Sequence, residues 1–425
     1  MMLPKHILML VTGLRGRLNS CLALAQHLHD AGSYITIACP ENHGVEVESL
    51  GLAYHQLPPT SYDTSGTKSI GEAKKSLGVD HLEGTIKSLS PDFLLIDIEL
   101  APHIIVCLAS KIPLALISSW FDLHRAPSHP PLTSSLIPPI SAKAADRAWQ
   151  KYNWRRRKHF FTKKIRWGGR AYRSVLCNLA KDHEVEIKRL VETKDFFALP
   201  FYWKTIPILS MNLYEVDLPH LLPDQIHYVG PMISTERMQS EKQMEQYYSI
   251  SQFLDVHANK KICYCSLSTM PTVESPLDLI VDAFSSMKDW AVIIASKQVA
   301  EPKMRENVFL LDYAPQLTLL QRCTIAINQG GINSINETIH MEKPMVVLNG
   351  GKFDQAGCAA RIHYHKLGIA IMDKFASGRL QEAIYEVNSN PIYLNKIKKL
   401  KNAAENYRSE KVLEKSIIGI AENYA

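Results

Sequence analysis

The chain lacks any uninterrupted run of roughly 18 apolar residues, the length that a membrane-spanning helix requires. It also lacks a signal-peptide pattern, because the apolar run KHILMLVTG ends at a glycine and no small-residue cleavage site follows. Its eight cysteines form no CxxC pair and have no regular spacing, unlike those of a disulfide framework or a zinc site. We therefore expect reduced thiols and a cytoplasmic protein.

Acidic residues are missing from one stretch of the chain. Residues 151–173 contain ten Lys or Arg and no Asp or Glu, interleaved with tryptophans and phenylalanines. Because the net charge of +6 includes these ten cations, the rest of the chain carries a net charge of −4. Such a stretch suits a helix on an anionic membrane face, a nucleic-acid contact or a solvated helix. We keep peripheral membrane contact as a prediction and expect no nucleic-acid partner.

The pattern of apolar runs predicts an α/β protein. A buried strand at 6–11, a helix at 18–31 with apolar residues at helical spacing, and a strand at 34–38 form a βαβ unit. The alternation continues with a helix at 101–110 and with helices after residue 394. Further strands are predicted at 91–97, 112–119, 261–268, 290–296, 308–312, 324–328 and 344–349.

The length of 425 residues is too great for one compact core and indicates two domains. We predict an acceptor-side domain at 1–235, a second domain at 250–405, and a helix at 406–425 that packs back on the first domain. Two doubly wound domains leave a cleft at the carboxyl ends of their strands, where ligands bind in such sheets.

The strand at 324–328 runs into two glycines and then a helix, in the segment NQGGINSINE at 328–337. Paired glycines let the backbone approach a ligand closely, and the helix N-terminus that follows favours a diphosphate. An alternative is a plain strand-to-helix turn in which Asn333 and Ser334 cap the helix.

The flanking segments carry a family resemblance. YAPQ at 313–316, NQGGINSINE, KP at 343–344 and FDQ at 353–355 resemble, in order and spacing, the nucleotide-sugar signature of the UDP-dependent glycosyltransferases of family 1. That family has the GT-B fold, two Rossmann-like domains facing across a cleft. The likeness is best to bacterial carotenoid- and macrolide-glycosylating members. It implies transfer of a hexose from a UDP-sugar to a small lipophilic or natural-product acceptor, with inversion and without a cofactor or metal.

The resemblance also implies residue roles on the donor side. Tyr313 would stack on the uracil and Gln316 would bond its edge, while Glu337 would hold the ribose hydroxyls. Asp354 and Gln355 would bind hydroxyls of the sugar. The complete predicted donor-binding set is Ser268, Thr269, Tyr313, Gln316, Gln329, Gly330, Gly331, Asn333, Ser334, Glu337, Asp354 and Gln355.

Three residues depart from the family pattern. Gln329 stands where a histidine touches the diphosphate, and glutamine can donate a hydrogen bond but cannot carry positive charge. Tyr313 replaces a tryptophan, and Gly350 replaces a proline.

The acceptor side departs further. Arg17 takes the position of the histidine that removes the acceptor's proton, and Asp97 matches the aspartate that orients that histidine. An arginine stays protonated and cannot act as a general base. The acceptor could be a carboxylate that Arg17 holds, or catalysis could be lost and a binding role kept. A replacement base is the third alternative, from the set Asp97, Glu99, His103, His124 and His129. Arg17 could also form only a salt bridge with Asp97.

The predicted acceptor-binding residues are His103, Trp120, Phe121 and His124. The last three belong to the proline-rich, aromatic segment 120–140, which is either an acceptor-pocket loop or an irregular surface connection. A lone histidine near a helix start, such as His103, is more often a packing residue than a base. The predicted catalytic residues are Arg17 and Asp97.

Overall fold

The computed structural model describes residues 2–192, 201–234, 237, 245–267, 276–348, 354–372 and 376–424. The predicted donor residues Ser268 and Thr269 lie outside these ranges. Among the helices in the described ranges, none is both long enough and apolar enough to cross a membrane.

The N-terminal half is built around a seven-stranded parallel sheet with strand order β3-β2-β1-β4-β5-β6-β7. Strands β4 and β5 are buried along their whole length, as expected for apolar strands covered on both faces. The strands are β1 His6–Leu10, β2 Tyr34–Cys39, β3 Ala53–Gln56, β4 Phe93–Asp97, β5 Leu114–Ser118, β6 Ile208–Ser210 and β7 Ile226–Tyr228.

Helices connect and cover these strands. α1 Arg15–Asp30 buries a face that includes Leu18, Leu22 and Leu28, the helical spacing that its sequence predicts. Short 3-10 turns occur at Glu41–His43 and Tyr214–Val216. The other helices are α2 Gly44–Ser49, α3 Ile70–Lys75, α4 Leu82–Leu89, α5 Ala101–Ala109, α6 Ala142–Arg166, α7 Tyr172–Asp182 and α8 Ile187–Leu190.

The C-terminal half contains a second seven-stranded sheet with strand order β10-β11-β9-β8-β12-β13-β14. Every pairing in it is parallel except that of the exposed strand β10 with β11. The strands are β8 Lys261–Ser266, β9 Trp290–Ala295, β10 Lys303–Arg305, β11 Val308–Leu311, β12 Ile325–Asn328, β13 Met345–Leu348 and β14 Gly368–Ile371. The strands predicted from the sequence are all present, with ends that differ by at most two residues.

The last helix returns to the first sheet. Leu413, Ile417 and Ile420 of α16 lie in the same apolar cluster as Ile7 and Met9 of β1. The C-terminal segment therefore ties the second half of the chain to the first. The helices of this half are α9 Glu245–Val256, α10 Leu277–Ser285, α11 Gln316–Arg322, α12 Ile332–His340, α13 Gln355–Tyr364, α14 Ser377–Ser389, α15 Pro391–Ser409 and α16 Val412–Tyr424.

The two halves of the chain also contact each other through α12 and α13. Asn336 of α12 donates to Asn212 Oδ1 at 2.8 Å. On α13, a Cβ added to Gly357 would lie 2.0 Å from the carbonyl oxygen of Leu132, so only glycine permits this approach. These contacts hold α12 against the segment after β6, and the start of α13 against the connection between β5 and α6.

Candidate active site

The turn between β12 and α12 has a backbone conformation that favours glycine. Gly330 has a φ of +82°, and a Cβ there would lie 2.9 Å from the carbonyl oxygen of Gln355. Its N–H donates to Asn328 Oδ1 at 2.8 Å. The turn therefore lies directly against the start of α13, which brings two separate pieces of the predicted donor motif together.

The start of α12 lacks a side-chain cap. Gly331 occupies the N-cap position, and no side chain bonds back to the first turn. Asn333 instead donates to the carbonyl oxygen of Gly16 and accepts a hydrogen bond from Ser20 Oγ at 3.1 Å. The capping alternative for Asn333 is therefore wrong. The first-turn N–H groups of a helix without such a cap suit an anion.

Three predicted donor residues cluster beside this helix. The amide of Gln316 donates to Glu337 Oε2 and lies 3.4 Å from Ser334 Oγ. Glu337 also accepts a hydrogen bond from Arg237, whose Nη1 lies 2.6 Å from Oε1. Sequence reasoning did not identify Arg237, because it lies in a polar segment outside every motif.

The remaining donor residues line the same region. Tyr313 is half-buried after β11, and Gln329 is buried at the end of β12. Asp354 immediately precedes α13, and burial raises the pKa of its carboxyl. Within the described part of the chain, the predicted donor set is thus collected at the carboxyl end of the second sheet.

A second constellation faces this set from the end of β4. Arg17 Nη2 lies 2.7 Å from Glu99 Oε1, and Arg17 Nη1 lies 3.3 Å from Asp97 Oδ1. The guanidinium carbon also lies 4.4 Å from the centre of the Trp120 ring, a cation–π contact. Asp97 additionally accepts hydrogen bonds from Thr12 Oγ1 and from the backbone N–H of Glu99, at 2.9 and 3.0 Å.

The two carboxylates that hold Arg17 differ in their environments. The Asp97 side chain is 4% exposed and accepts three donors, whereas that of Glu99 is 27% exposed. Burial raises the pKa of Glu99 to about 7, against the lowering effect of Arg17, and the charges of Asp97 and Asp354 raise it further. Burial would lower the pKa of Arg17, but Asp97 and Glu99 more than offset this, so the pKa is raised.

The histidines weighed as alternative bases lie elsewhere. His103 is completely buried, both of its ring nitrogens lack a hydrogen-bond partner, and burial lowers its pKa to about 4. The ring nitrogens of His124 each lie 2.8 Å from an acceptor, Asp122 Oδ1 and the carbonyl oxygen of Trp203. His129 is 1% exposed. All three histidines are buried. Burial without a polar partner does not fit the acceptor-binding role predicted for His103, whereas His124 lines a small cavity together with Trp120.

The segment 120–140 is partly buried: seven of its 21 residues are buried and the others are partly or fully exposed. Trp120 faces Arg17, whereas Phe121 is 1% exposed and packs under Arg361, whose guanidinium carbon lies 4.8 Å from the ring centre. A small cavity with mainly apolar walls lies behind Trp120. Its wall includes Trp120, Phe121, Phe201, Tyr202, Trp203 and Ile208.

Sequence reasoning also missed a buried ionic network between the halves. Arg361 of α13 pairs with Asp217, with Nε 2.8 Å from Oδ1, and His365 bonds the carbonyl oxygen of Asp217 at 2.8 Å. Both side chains of the ion pair are at most 1% exposed. Burial would raise the pKa of Asp217, but the charge of Arg361 outweighs it and the pKa is lowered. An arginine within the apolar run AGCAARI was the one signal for this network in the sequence.

Within the described ranges, His129, Asp217 and His220 offer possible metal ligands within 4.8 Å of one another. The guanidinium of Arg361 already supplies a positive charge there, because its Nη2 lies 3.4 Å from His129 Nε2 and pairs with Asp217. His220 in turn bonds Asp122 Oδ2 at 3.0 Å. A divalent cation would have to displace this arginine, so the cluster does not suit a metal ion.

The regions that match known proteins include parts of both halves of the chain. Residues 172–416, more than half of the chain, match the family model described as UDP-glucoronosyl and UDP-glucosyl transferase. The uncharacterized UDP-glucosyltransferase YdhE of Bacillus subtilis (strain 168) is 30% identical over 198 residues, which cover 45% of this chain and 47% of YdhE. The zeaxanthin glucosyltransferase of Pantoea ananas is 23% identical over 341 residues, covering 76% of this chain and 70% of that enzyme.

The solved structures show the fold over the whole length. The glycotransferase of kitacinnamycin is 21% identical and superposes with a TM-score of 0.69, covering 97% of this chain and 99% of the other. Together with the two parallel sheets, this match confirms the predicted GT-B architecture.

Proposed function

The chain belongs to the UDP-glucoronosyl and UDP-glucosyl transferase family and is a UDP-dependent glycosyltransferase, and we propose that it transfers a hexose to a small lipophilic acceptor. The observation that carries this proposal is the contact between the two domains at the predicted donor helix. Asn333, at the start of α12, donates to the carbonyl oxygen of Gly16 and accepts a hydrogen bond from Ser20 Oγ at 3.1 Å, on either side of Arg17. The donor at α12 and the acceptor hydroxyl at the Arg17 cluster would therefore meet between the two domains.

The donor binds at the second sheet in this proposal. The diphosphate lies at the N–H groups of the first turn of α12, beyond Gly330 and Gly331. The uracil stacks on Tyr313, and the ribose hydroxyls bond Glu337. Gln329 donates one hydrogen bond to the diphosphate but leaves its charge uncompensated.

Glu99 is the general base in this proposal. It is the more exposed of the two carboxylates at Arg17, and with a pKa of about 7 it is a base matched to neutral pH. Its carboxylate takes the proton of the acceptor hydroxyl as that oxygen attacks the anomeric carbon. The bond from that carbon to the UDP oxygen breaks, and the electron pair leaves with UDP, so one displacement inverts the anomeric centre.

Arg17 then acts on Glu99 rather than on the substrate. Its charge is already met by Asp97 and Glu99. An acceptor carboxylate would bring a third negative charge to this guanidinium, beside Asp354. The geometry therefore favours a hydroxyl acceptor and a replaced base over the carboxylate acceptor that Arg17 suggested from the sequence.

The apolar character of the acceptor is supported by the aromatic surroundings of Trp120 at this centre. The residues that line the small cavity behind it include Trp120, Phe201 and Trp203. One relative is named for zeaxanthin, an apolar carotenoid. An acceptor with a hydroxyl at Glu99 and an apolar body against Trp120 fits both observations.

The test is incubation of the protein with UDP-glucose and a panel of apolar alcohols, phenols and carboxylic acids. We expect UDP release with the hydroxyl acceptors, products heavier by one hexose in mass spectra, and a β-linkage by NMR. A protein that binds UDP but releases none from UDP-glucose under any condition would instead be the catalytically impaired binding protein that Gln329 and Arg17 leave as the alternative.

A membrane surface is the proposed partner of α6. Trp154, Phe161 and Ile165 are 61%, 50% and 82% exposed, and their spacing of seven and four residues puts them on one helix face. Lys158 lies on the same face and contacts the Trp154 ring, with its ammonium 5.4 Å from the ring centre. From 154 to 166 the helix has no buried side chain, whereas Trp149 anchors its first half. Exposed apolar residues among cations suit the headgroup region of an anionic bilayer.

We expect the protein to co-sediment with vesicles that contain an anionic phospholipid, and to do so less at high salt. Replacing Trp154, Phe161 and Ile165 together by serine should lower the partition coefficient at least about tenfold, because the apolar anchors are lost. Val256→Ser, at a residue that is 77% exposed on α9, serves as the matched control. Equal binding of wild type and triple variant, or binding to nucleic acid with none to vesicles, would contradict the membrane proposal.

A further inference from the structure

The predicted donor set is short of positive charge. It contains two acids, Glu337 and Asp354, and no Lys, Arg or His, because Gln329 replaces the histidine of the family pattern. A UDP-sugar brings two further negative charges on its diphosphate. Hydrogen bonds to an ionised group are roughly twice as strong as neutral ones. A site that binds this ligand is therefore expected to recruit a cation from outside the motif.

Arg237 is a cation at this site. It lies in the connection between β7 and α9, after the N-terminal sheet has ended. Its Nη1 lies 2.6 Å from Glu337 Oε1, and its backbone N–H donates to Ser234 Oγ at 3.3 Å. The side chains of Arg237 and Glu337 are 20% and 9% exposed, so the pair is largely shielded from water.

Arg237 binds the Glu337 carboxylate, which is also the predicted acceptor of hydrogen bonds from the ribose. Glu337 accepts from Arg237 through Oε1 and from Gln316 through Oε2. In the proposed function the ribose hydroxyls donate to this same carboxylate. The ribose hydroxyls would compete with Arg237 for this carboxylate. Glu337 lies one helical turn after Asn333 on α12, so a guanidinium that leaves Glu337 starts close to the diphosphate end of the helix.

We propose that Arg237 is a positioning residue of the donor site, which moves from Glu337 to the diphosphate when a UDP-sugar binds and supplies the charge that Gln329 lacks. This inference rests on the proposed donor site at α12. The Arg237 guanidinium is then paired with the Glu337 carboxylate before the donor binds and with the diphosphate afterwards.

The test is calorimetric titration of UDP and of uridine into the wild type and Arg237→Ala. We expect the variant to bind UDP on the order of tenfold more weakly, since it loses a charge-assisted contact, while its affinity for uridine stays the same or increases. Arg237→Lys should recover part of the UDP affinity. Arg189→Ala, which removes an exposed arginine paired with Glu186, should leave both affinities unchanged.

A second variant separates a charge role from a structural one. Gln329→His in the Arg237→Ala background restores the histidine of the family pattern and should recover UDP affinity more at pH 6 than at pH 8. Tighter binding of both UDP and uridine by Arg237→Ala would show that Arg237 only blocks access to Glu337, and this result would overturn the proposal. Unchanged UDP affinity of the variant would also overturn it. Failure of the wild type to bind UDP would instead overturn the donor site itself.

Discussion

Glu99→Gln is expected to lower kcat/KM for a hydroxyl acceptor by on the order of 10²–10⁴-fold, the contribution typical of a general base. The amide keeps the size of the side chain and can still accept a hydrogen bond from Arg17, but it cannot take a proton. UDP affinity should remain within about twofold of wild type, because the donor lies on the other domain. The exposed Glu410→Gln serves as the matched control.

The pH dependence of kcat/KM is a second test of the role of Glu99. Since the pKa of Glu99 is about 7, kcat/KM of the wild type should rise with pH through that value as the carboxylate becomes available, and then level off. The Gln variant should lose this limb of the profile. If Arg17 were a receptor for acidic acceptors, Glu99→Gln would keep or raise activity toward them and Arg17→Ala would abolish it, a pattern that would contradict the base assignment.

Arg361→Met is expected to lower the free energy of unfolding by about 3–5 kcal/mol, the usual cost of leaving one partner of a buried ion pair uncompensated. Asp217 is buried with Arg361, and methionine keeps most of the volume while removing the charge. Urea denaturation followed by tryptophan fluorescence measures the change. Arg322→Ala, whose exposed partner Asp255 lies 3.8 Å away, should cost less than about 1 kcal/mol.

The double variant Arg361→Met/Asp217→Asn decides whether charge pairing is the cause. It should be more stable than Arg361→Met alone, because the uncompensated carboxylate is gone. Strictly additive losses from the two single variants would contradict this explanation. Because Arg361 lies on α13, the helix that begins at Gln355 directly after Asp354, the single variant should also raise the KM for the UDP-sugar.

The sequence was a good guide where one short segment determines the structure. The fully buried strands β4, β5 and β9 are continuous apolar runs, and their positions were predicted to within two residues. Three of the strands that were not predicted, β3, β6 and β10, lack such a run. Strand β3 has no buried residue, β6 has only three residues, and β10 is exposed throughout.

The donor residues could be predicted from a local motif, whereas the residues of the acceptor side could not. Gly330, Asn333 and Glu337 lie within eight residues of one another, so a local motif was enough to predict that they lie together in and just before α12. Glu99 was only one of several possible bases in the sequence, because its selection depends on the burial and charge that Arg17 and Asp354 create in the folded chain. The pairs Arg361–Asp217 and Arg237–Glu337 join residues at least 100 positions apart, and no local pattern indicates them.

Calorimetric titration of UDP into the intact protein tests the central claim most directly, since every functional statement depends on a nucleoside diphosphate at the start of α12. We expect saturable binding of UDP with one site per chain, and competition by UDP-glucose. A correctly folded protein that gives no binding heat with UDP, UDP-glucose or any other nucleoside diphosphate would contradict it.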